Sequence, residues 1–205
     1  KDDGSVVTWG DERYGGDSSA IEDDLSEGVT NIFSTYGAFA ALKEDGSIVT
    51  WGDERYGGDS SAVEDELTGG VTDIFSNFFA FAALKDDGSV VTWGVDDRGG
   101  DSSAVADELT GGVTDIIFST GRAFAALKDD GSVVTWGVDD RGGDSSAVAD
   151  ELTGGVTDII FSTGRAFAAL KDDGSVVTWG VDDKGGDSSA VEDELNSGVT
   201  NIFSN

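Results

Sequence analysis

The chain is 205 residues long and 38% hydrophobic, enough for a packed core, and its 42 acidic against 12 basic side chains leave a formal net charge of −30. That balance disfavours polyanions: nucleic acid and anionic membrane both need a basic face, and the few cations here are spread over the whole length, so calcium and basic proteins are the better partners. With no Cys and no His, disulfides, thiolate metal sites and nucleophilic triads are excluded, and no apolar run approaches the roughly 18 residues of a membrane helix. There is no Met, and Lys1 falls inside a repeat, which points to a mature fragment, a trimmed form or a part of something longer.

Five tryptophans, Trp9, Trp51, Trp93, Trp136 and Trp179, recur at spacings of 42, 42, 43 and 43, each within the string TWG. Self-similarity of this period marks a repeat architecture. The chain therefore reads as one repeat domain over 1–205, built of units 1–42, 43–84, 85–127, 128–170 and an incomplete 171–205. Residues 85–127 and 128–170 are identical, the mark of recent amplification, design or a consensus used as the sequence. Identical neighbours tend to mispair, so the unit is expected to fold fast and locally.

Following the chain from Trp93, residues 94–103 (GVDDRGGDSS) carry Gly and Asp throughout and read as a loop. Residues 102–110 read as a short helix: Asp101 or Ser102 can cap it, Val105 and Leu109 share a face, and Gly111-Gly112 ends it. Too short to stand alone, it must lean on a sheet through Val105 and Leu109. A strand follows, VTDIFSN in the second unit and VTDIIFST in the third and fourth; the additional Ile117 or Ile160 predicts a register shift absorbed by a β-bulge. Residues 123–137, AFAALKDDGSVVTWG, read as a hairpin whose turn, Asp130-Gly131, supplies positive φ. Ala123 to Leu127 show no polar alternation, the pattern of a strand covered on both faces, and small Ala side chains let neighbouring sheets approach closely.

At AFAALKDDGSVVTWG, followed by YGGD, the Val and Leu of SSAVEDEL and the VTDI strand, the chain resembles the repeats of the regulator of chromosome condensation family. The resemblance covers every unit and implies blades of a β-propeller. The family builds seven-bladed propellers with longer blades, whereas here there are five units. The His that commonly opens the family's first strand is replaced, as at Phe39, Phe81, Phe124 and Phe167. Exchange-factor activity and chromatin binding do not carry over, since no residue here matches a functional site.

The tryptophans could stack on a sugar or aromatic ligand, but a once-per-repeat aromatic at a strand end is the usual anchor between stacked sheets. Asp96, Asp97 and Asp101, with Asp139, Asp140 and Asp144, could ligate calcium through carboxylate and loop carbonyl oxygens, against the plainer reading of a solvated loop whose last Asp caps a helix. Paired carboxylates can hydrolyse glycosides, yet near-identical repeats give near-identical environments, and catalysis needs acids whose pKa values separate. Gly-Gly pairs precede Asp rather than Lys, which argues against phosphate cradling.

These readings give a mainly β, propeller-like fold of five small blades, each a hairpin with a third strand and a short helix; the alternative is an open stacked β-repeat array. The function expected is a non-catalytic scaffold for extracellular or cell-surface assembly or adhesion, the alternative an intracellular protein-interaction platform. No cofactor is expected beyond possible calcium, and no nucleic acid or membrane insertion. SVVTWG-type strands number five and AFAAL strands four, so the chain ends are expected to bind protein partners or self-assemble.

Overall fold

The computed structural model describes residues 1–119, 121–162 and 165–204. They form two compact units, Lys1–Asp101 and Ser102–Asn205. The first contains β1 (Val29–Ser34), β2 (Ala38–Lys43), β3 (Ile48–Gly52), β4 (Val71–Ser76), β5 (Ala80–Lys85) and β6 (Val90–Gly94). The second contains β7 (Val113–Ser119), β8 (Ala123–Lys128), β9 (Val133–Gly137), β10 (Val156–Ser162), β11 (Ala166–Lys171) and β12 (Val176–Gly180).

The strands make four antiparallel three-stranded sheets in the orders β1-β2-β3, β4-β5-β6, β7-β8-β9 and β10-β11-β12. Five propeller blades were expected, and this is corrected. A sheet needs the AFAAL strand at its centre, and the chain has only four of them. Val6–Trp9 and residues 199–204 belong to no sheet. None of the four sheets closes on itself, and within each unit the arrangement is the open stacked repeat array. The sheet is also offset from the sequence repeat: its first two strands end one unit and its third begins the next.

The central strand is buried because it faces a neighbour on both sides. In the first unit, Ala38, Ala40 and Leu42 on one face of β2 pack with Leu67, Val71, Ile74, Phe81, Ala83, Val91 and Trp93. The opposite face, through Ala41, joins Leu25 and Trp51. The second unit repeats the scheme, with Ala123 and Ala125 against Leu152, Val156, Ile159, Phe167, Ala169 and Trp179. Residues i and i+2 share a face of a strand, so the AFAAL run divides into an Ala-Ala-Leu face and a Phe-Ala face, both of them covered.

The predicted helix is a pair of 3₁₀ turns. Ser61–Leu67, Ser103–Leu109 and Ser146–Leu152 are each broken by a non-helical residue, Val63, Val105 and Val148, and among the described residues only Glu192–Leu195 forms an α-turn. Leu67, Leu109 and Leu152 are the buried residues of these turns, whereas Val63, Val105 and Val148, expected to lean on the sheet beside them, are half-buried and mark the kink. The C-terminal carbonyls are satisfied by a lysine from the next unit: the Nζ of Lys85, Lys128 and Lys171 donates to the carbonyls of Glu66, Glu108 and Glu151 at 2.7–2.8 Å. The recurring lysine thus has a local structural role.

The extra isoleucine is accommodated differently from expectation. A bulge occurs near the start of the first strand in all four sheets, including those without the insertion. Ile116 pairs with Ala126 as Ile74 pairs with Ala83, so the register is unshifted; the inserted residue adds one rung, Ser119 to Ala123, at the far end of the strand.

The hairpin turns form as predicted, with Gly131 at φ 77°. In each turn an aspartate, Asp45, Asp87, Asp130 or Asp173, accepts from the backbone N–H of the serine two residues on at 2.8–3.0 Å and from its hydroxyl at 2.6 Å. Those bonds, the serine hydroxyl foremost, hold each carboxyl below its ordinary value of 3.8. A carboxylate lowered in the folded state contributes stability above its unfolded pKa and loses it as pH falls through the folded one. The melting temperature should therefore fall as the pH drops below about 4. Converting all four aspartates to Asn keeps an acceptor but removes the titration, and should flatten that limb; an unchanged acid profile would show that these turns do not set it.

Candidate functional site

The carboxylates singled out for calcium lie on exposed turns with local partners. Asp96 and Asp97 sit in the 3₁₀ turn Asp96–Arg98, where Asp97 faces Arg98 at 3.5 Å, and the Asp101 N–H donates to the Asp96 carbonyl at 3.3 Å. Asp140 pairs with Arg141 at 3.4 Å, and the Asp144 N–H reaches the Asp139 carbonyl at 3.4 Å. Asp144 accepts from the Ser146 N–H at 2.8 Å, which starts the following turn and lowers its pKa. The carboxylate of this last aspartate thus holds the backbone where the turn begins. Among the described residues no group of three or more acidic side chains is arranged to hold a metal ion.

The tryptophans are core anchors. Trp51, Trp93 and Trp179 stack on Phe39, Phe81 and Phe167, the phenylalanine directly opposite in the hairpin, with centroids 5.0–5.2 Å apart. Each also donates its indole N–H to a glycine carbonyl one repeat earlier, Gly15, Gly57 or Gly142, at 3.1–3.2 Å. Trp136 makes the same stack on Phe124 at 5.2 Å. Trp9 is the exception. It is 85% exposed, where the other four are 3–6% exposed, because no AFAAL strand lies beside its own among the described residues. Val7 and, at the other end, Phe203 (88%) are exposed for the same reason.

A second exposed apolar region escaped the sequence reasoning. Tyr14, Tyr36, Tyr56 and Phe79 form a chain of ring contacts, with successive centroids 5.9, 5.6 and 5.8 Å apart, and Phe78 extends it at 6.3 Å. The rings come from two kinds of loop. Tyr14 and Tyr56 end the 3₁₀ turns Glu12–Tyr14 and Glu54–Tyr56, while Tyr36, Phe78 and Phe79 lie in the β1–β2 and β4–β5 connections. Asn77 fixes the second connection: its Oδ1 accepts from the Phe79 and Ala80 N–H groups, and its Nδ2 donates to the Arg98 carbonyl at 2.8 Å. The legible signal was divergence among otherwise matching units: where the first two carry Tyr14 and Tyr56, later ones carry Arg98, Arg141 and Lys184.

No protein-family profile and no curated protein sequence matches the chain. Solved structures do. The chain is similar to yeast RCC1 (Prp20) bound to Kap60, with a TM-score of 0.51 and 16% identity over 76% of this chain and 44% of that one. It is also similar to human WBSCR16 (TM-score 0.47, 17% identity, 74% and 47% coverage). A further structure of Prp20p from Saccharomyces cerevisiae, described with its binding to Gsp1p and histones, gives 0.47, 18%, 74% and 47%. The chain spans about half the length of these proteins. The extracellular or cell-surface assembly expected from the sequence is corrected: these structures, described as bound to Kap60 or by binding to Gsp1p and histones, fit the alternative of a protein-interaction platform better. Among the described residues no helix is long and apolar enough to cross a membrane. The chain is thus a repeat β-structure whose fold is similar, at 16% identity over 76% of its length, to that of the RCC1-type propeller protein.

Proposed function

We propose that the chain is an intracellular protein-interaction platform whose ends accept a β-strand. The carrying observation is Trp9, exposed at 85% while its four equivalents are buried, each stacked on the phenylalanine opposite it. Val6–Trp9 corresponds to the third strand of a sheet and residues 199–203 to the first, and both lack the central strand. An AFAAL-type segment laid beside Val6–Trp9 would pair its backbone as β2 pairs with β3 and set its phenylalanine on the Trp9 ring. That segment can come from a longer chain or from another molecule, and only the second route depends on concentration.

Acrylamide quenching provides the test, because Trp9 is the one tryptophan of five that solvent reaches freely. Adding a peptide containing AFAALKDDG, or appending AFAAL after Asn205, should shield Trp9 and suppress any self-association seen by sedimentation. Unchanged quenching with the peptide at millimolar concentration, together with a strictly monomeric chain, would defeat the proposal.

A further inference from the structure

We propose that the aromatic face of the first unit docks an extended, Lys/Arg-rich peptide segment. The inference deepens the reading of the chain as a protein-interaction platform, but through residues separate from its ends.

The face is built and held rather than left over. The Tyr36 N–H donates to the Phe78 carbonyl at 3.0 Å, tying the two strand connections together, and the Thr35 hydroxyl donates to the Tyr56 carbonyl at 2.9 Å. Gly37 is buried between rings: a Cβ there would lie 3.1 Å from both Tyr14 and Tyr56. Despite this anchoring, Tyr36 is 61% and Phe78 52% exposed, in a unit whose other strand-connected aromatics Phe81 and Trp93 are covered. Ordered rings offered to water are the usual anchors of an interface.

Charge selects the partner. The two turns that carry Tyr14 and Tyr56, together with the turn whose Arg98 lies over Phe79, bring six carboxylates, Asp11, Glu12, Asp53, Glu54, Asp96 and Asp97, against three guanidiniums. The guanidiniums are already engaged. Arg13 and Arg55 pair with Asp11 and Asp53 at 2.7 Å and lie over Tyr14 and Tyr56, while Arg98 faces Asp97 and lies 4.4 Å from the Phe79 centroid. What remains is a row of aromatic rings rimmed by negative charge on a chain of net −30. Ring faces and carboxylates both attract ammonium and guanidinium groups, and both repel phosphates. Rings spaced at 5.6–5.9 Å are also close to the roughly 6.6 Å repeat of alternate residues along an extended peptide.

The test is fluorescence anisotropy of labelled decapeptides at physiological ionic strength, using the full chain and comparing alternating Lys-Ser, alternating Glu-Ser and polyproline. The Lys-Ser peptide should bind and the other two should not. Replacing Tyr36 and Phe78 together by Ser leaves the net charge unchanged, so attraction through charge alone would be unaffected; the proposal expects about tenfold weaker binding. Equal affinity in the double variant, preference for polyproline, or no binding of the Lys-Ser peptide would each overturn it. Both side chains are exposed, and an unaltered circular dichroism spectrum and melting temperature would show the variant to be folded. The quenching of Trp9 involves neither residue, so failure of either proposal is read separately.

Discussion

Replacing Phe81 by Ala is expected to destabilise the first unit by roughly 3–5 kcal/mol. Phe81 is fully buried, stacks on Trp93 with centroids 5.0 Å apart, and packs on Ala38 and Ala40 of the neighbouring sheet. Two features keep the loss near the top of the range. The opposing residues are alanines on a hydrogen-bonded strand, which cannot swing in to fill the space, and Trp93 is held by its indole bond to the Gly57 carbonyl. The hole would therefore stay open. Phe78, three residues earlier but half exposed, should cost no more than about 0.5 kcal/mol when truncated to Ala. Urea unfolding followed by circular dichroism checks both, with hydrogen exchange locating the loss, since repeat proteins sum local stabilities and contacts between neighbours. A difference between the two variants below about 1.5 kcal/mol would refute this account of the core.

The second large effect is expected at Gly94. Its φ is 120°, a conformation that side chains rarely adopt, and a Cβ there would lie 2.6 Å from the Phe79 carbonyl oxygen and 2.7 Å from Ala80 Cα. Both are backbone atoms of the connection and strand that Gly94 pairs with, so neither can rotate away. Gly94→Ala should cost more than about 2 kcal/mol, combining the left-handed penalty with separation of the paired strands. Gly69 is the contrast: its backbone lies outside that region, and the nearest atom to a Cβ is the Asp45 carbonyl oxygen at 3.6 Å. Gly69→Ala is expected to be neutral or to stabilise by about 0.4–1 kcal/mol through the unfolded chain. The repeats agree, since Glu27 and Ser197 occupy the equivalent place, while every equivalent of Gly94 is glycine: Gly10, Gly52, Gly137 and Gly180. Thermal melting of the two variants side by side is sufficient; similar losses in both would contradict the argument.

The amino-acid sequence by itself determined the local elements. Period, hairpin turn, doubly covered AFAAL strand and tryptophan anchor were all legible, because each depends on residues close in the chain: a glycine at positive φ, an unbroken apolar run, an aromatic at a fixed spacing. The tertiary structure alone decided how many sheets form. A sheet borrows strands across the repeat boundary, so five units yield four sheets, and a count of tryptophans overstates the number by one. It also decided that the helix is two 3₁₀ turns, since the kink at Val63, Val105 or Val148 answers to packing rather than to propensity. The aromatic face was out of reach for the same reason. Tyr14, Tyr36, Tyr56 and Phe79 come from four loops, the outermost 65 positions apart, and nothing local marks them as neighbours. Only the stacking of one sheet on the next brings their rings within 6 Å of one another.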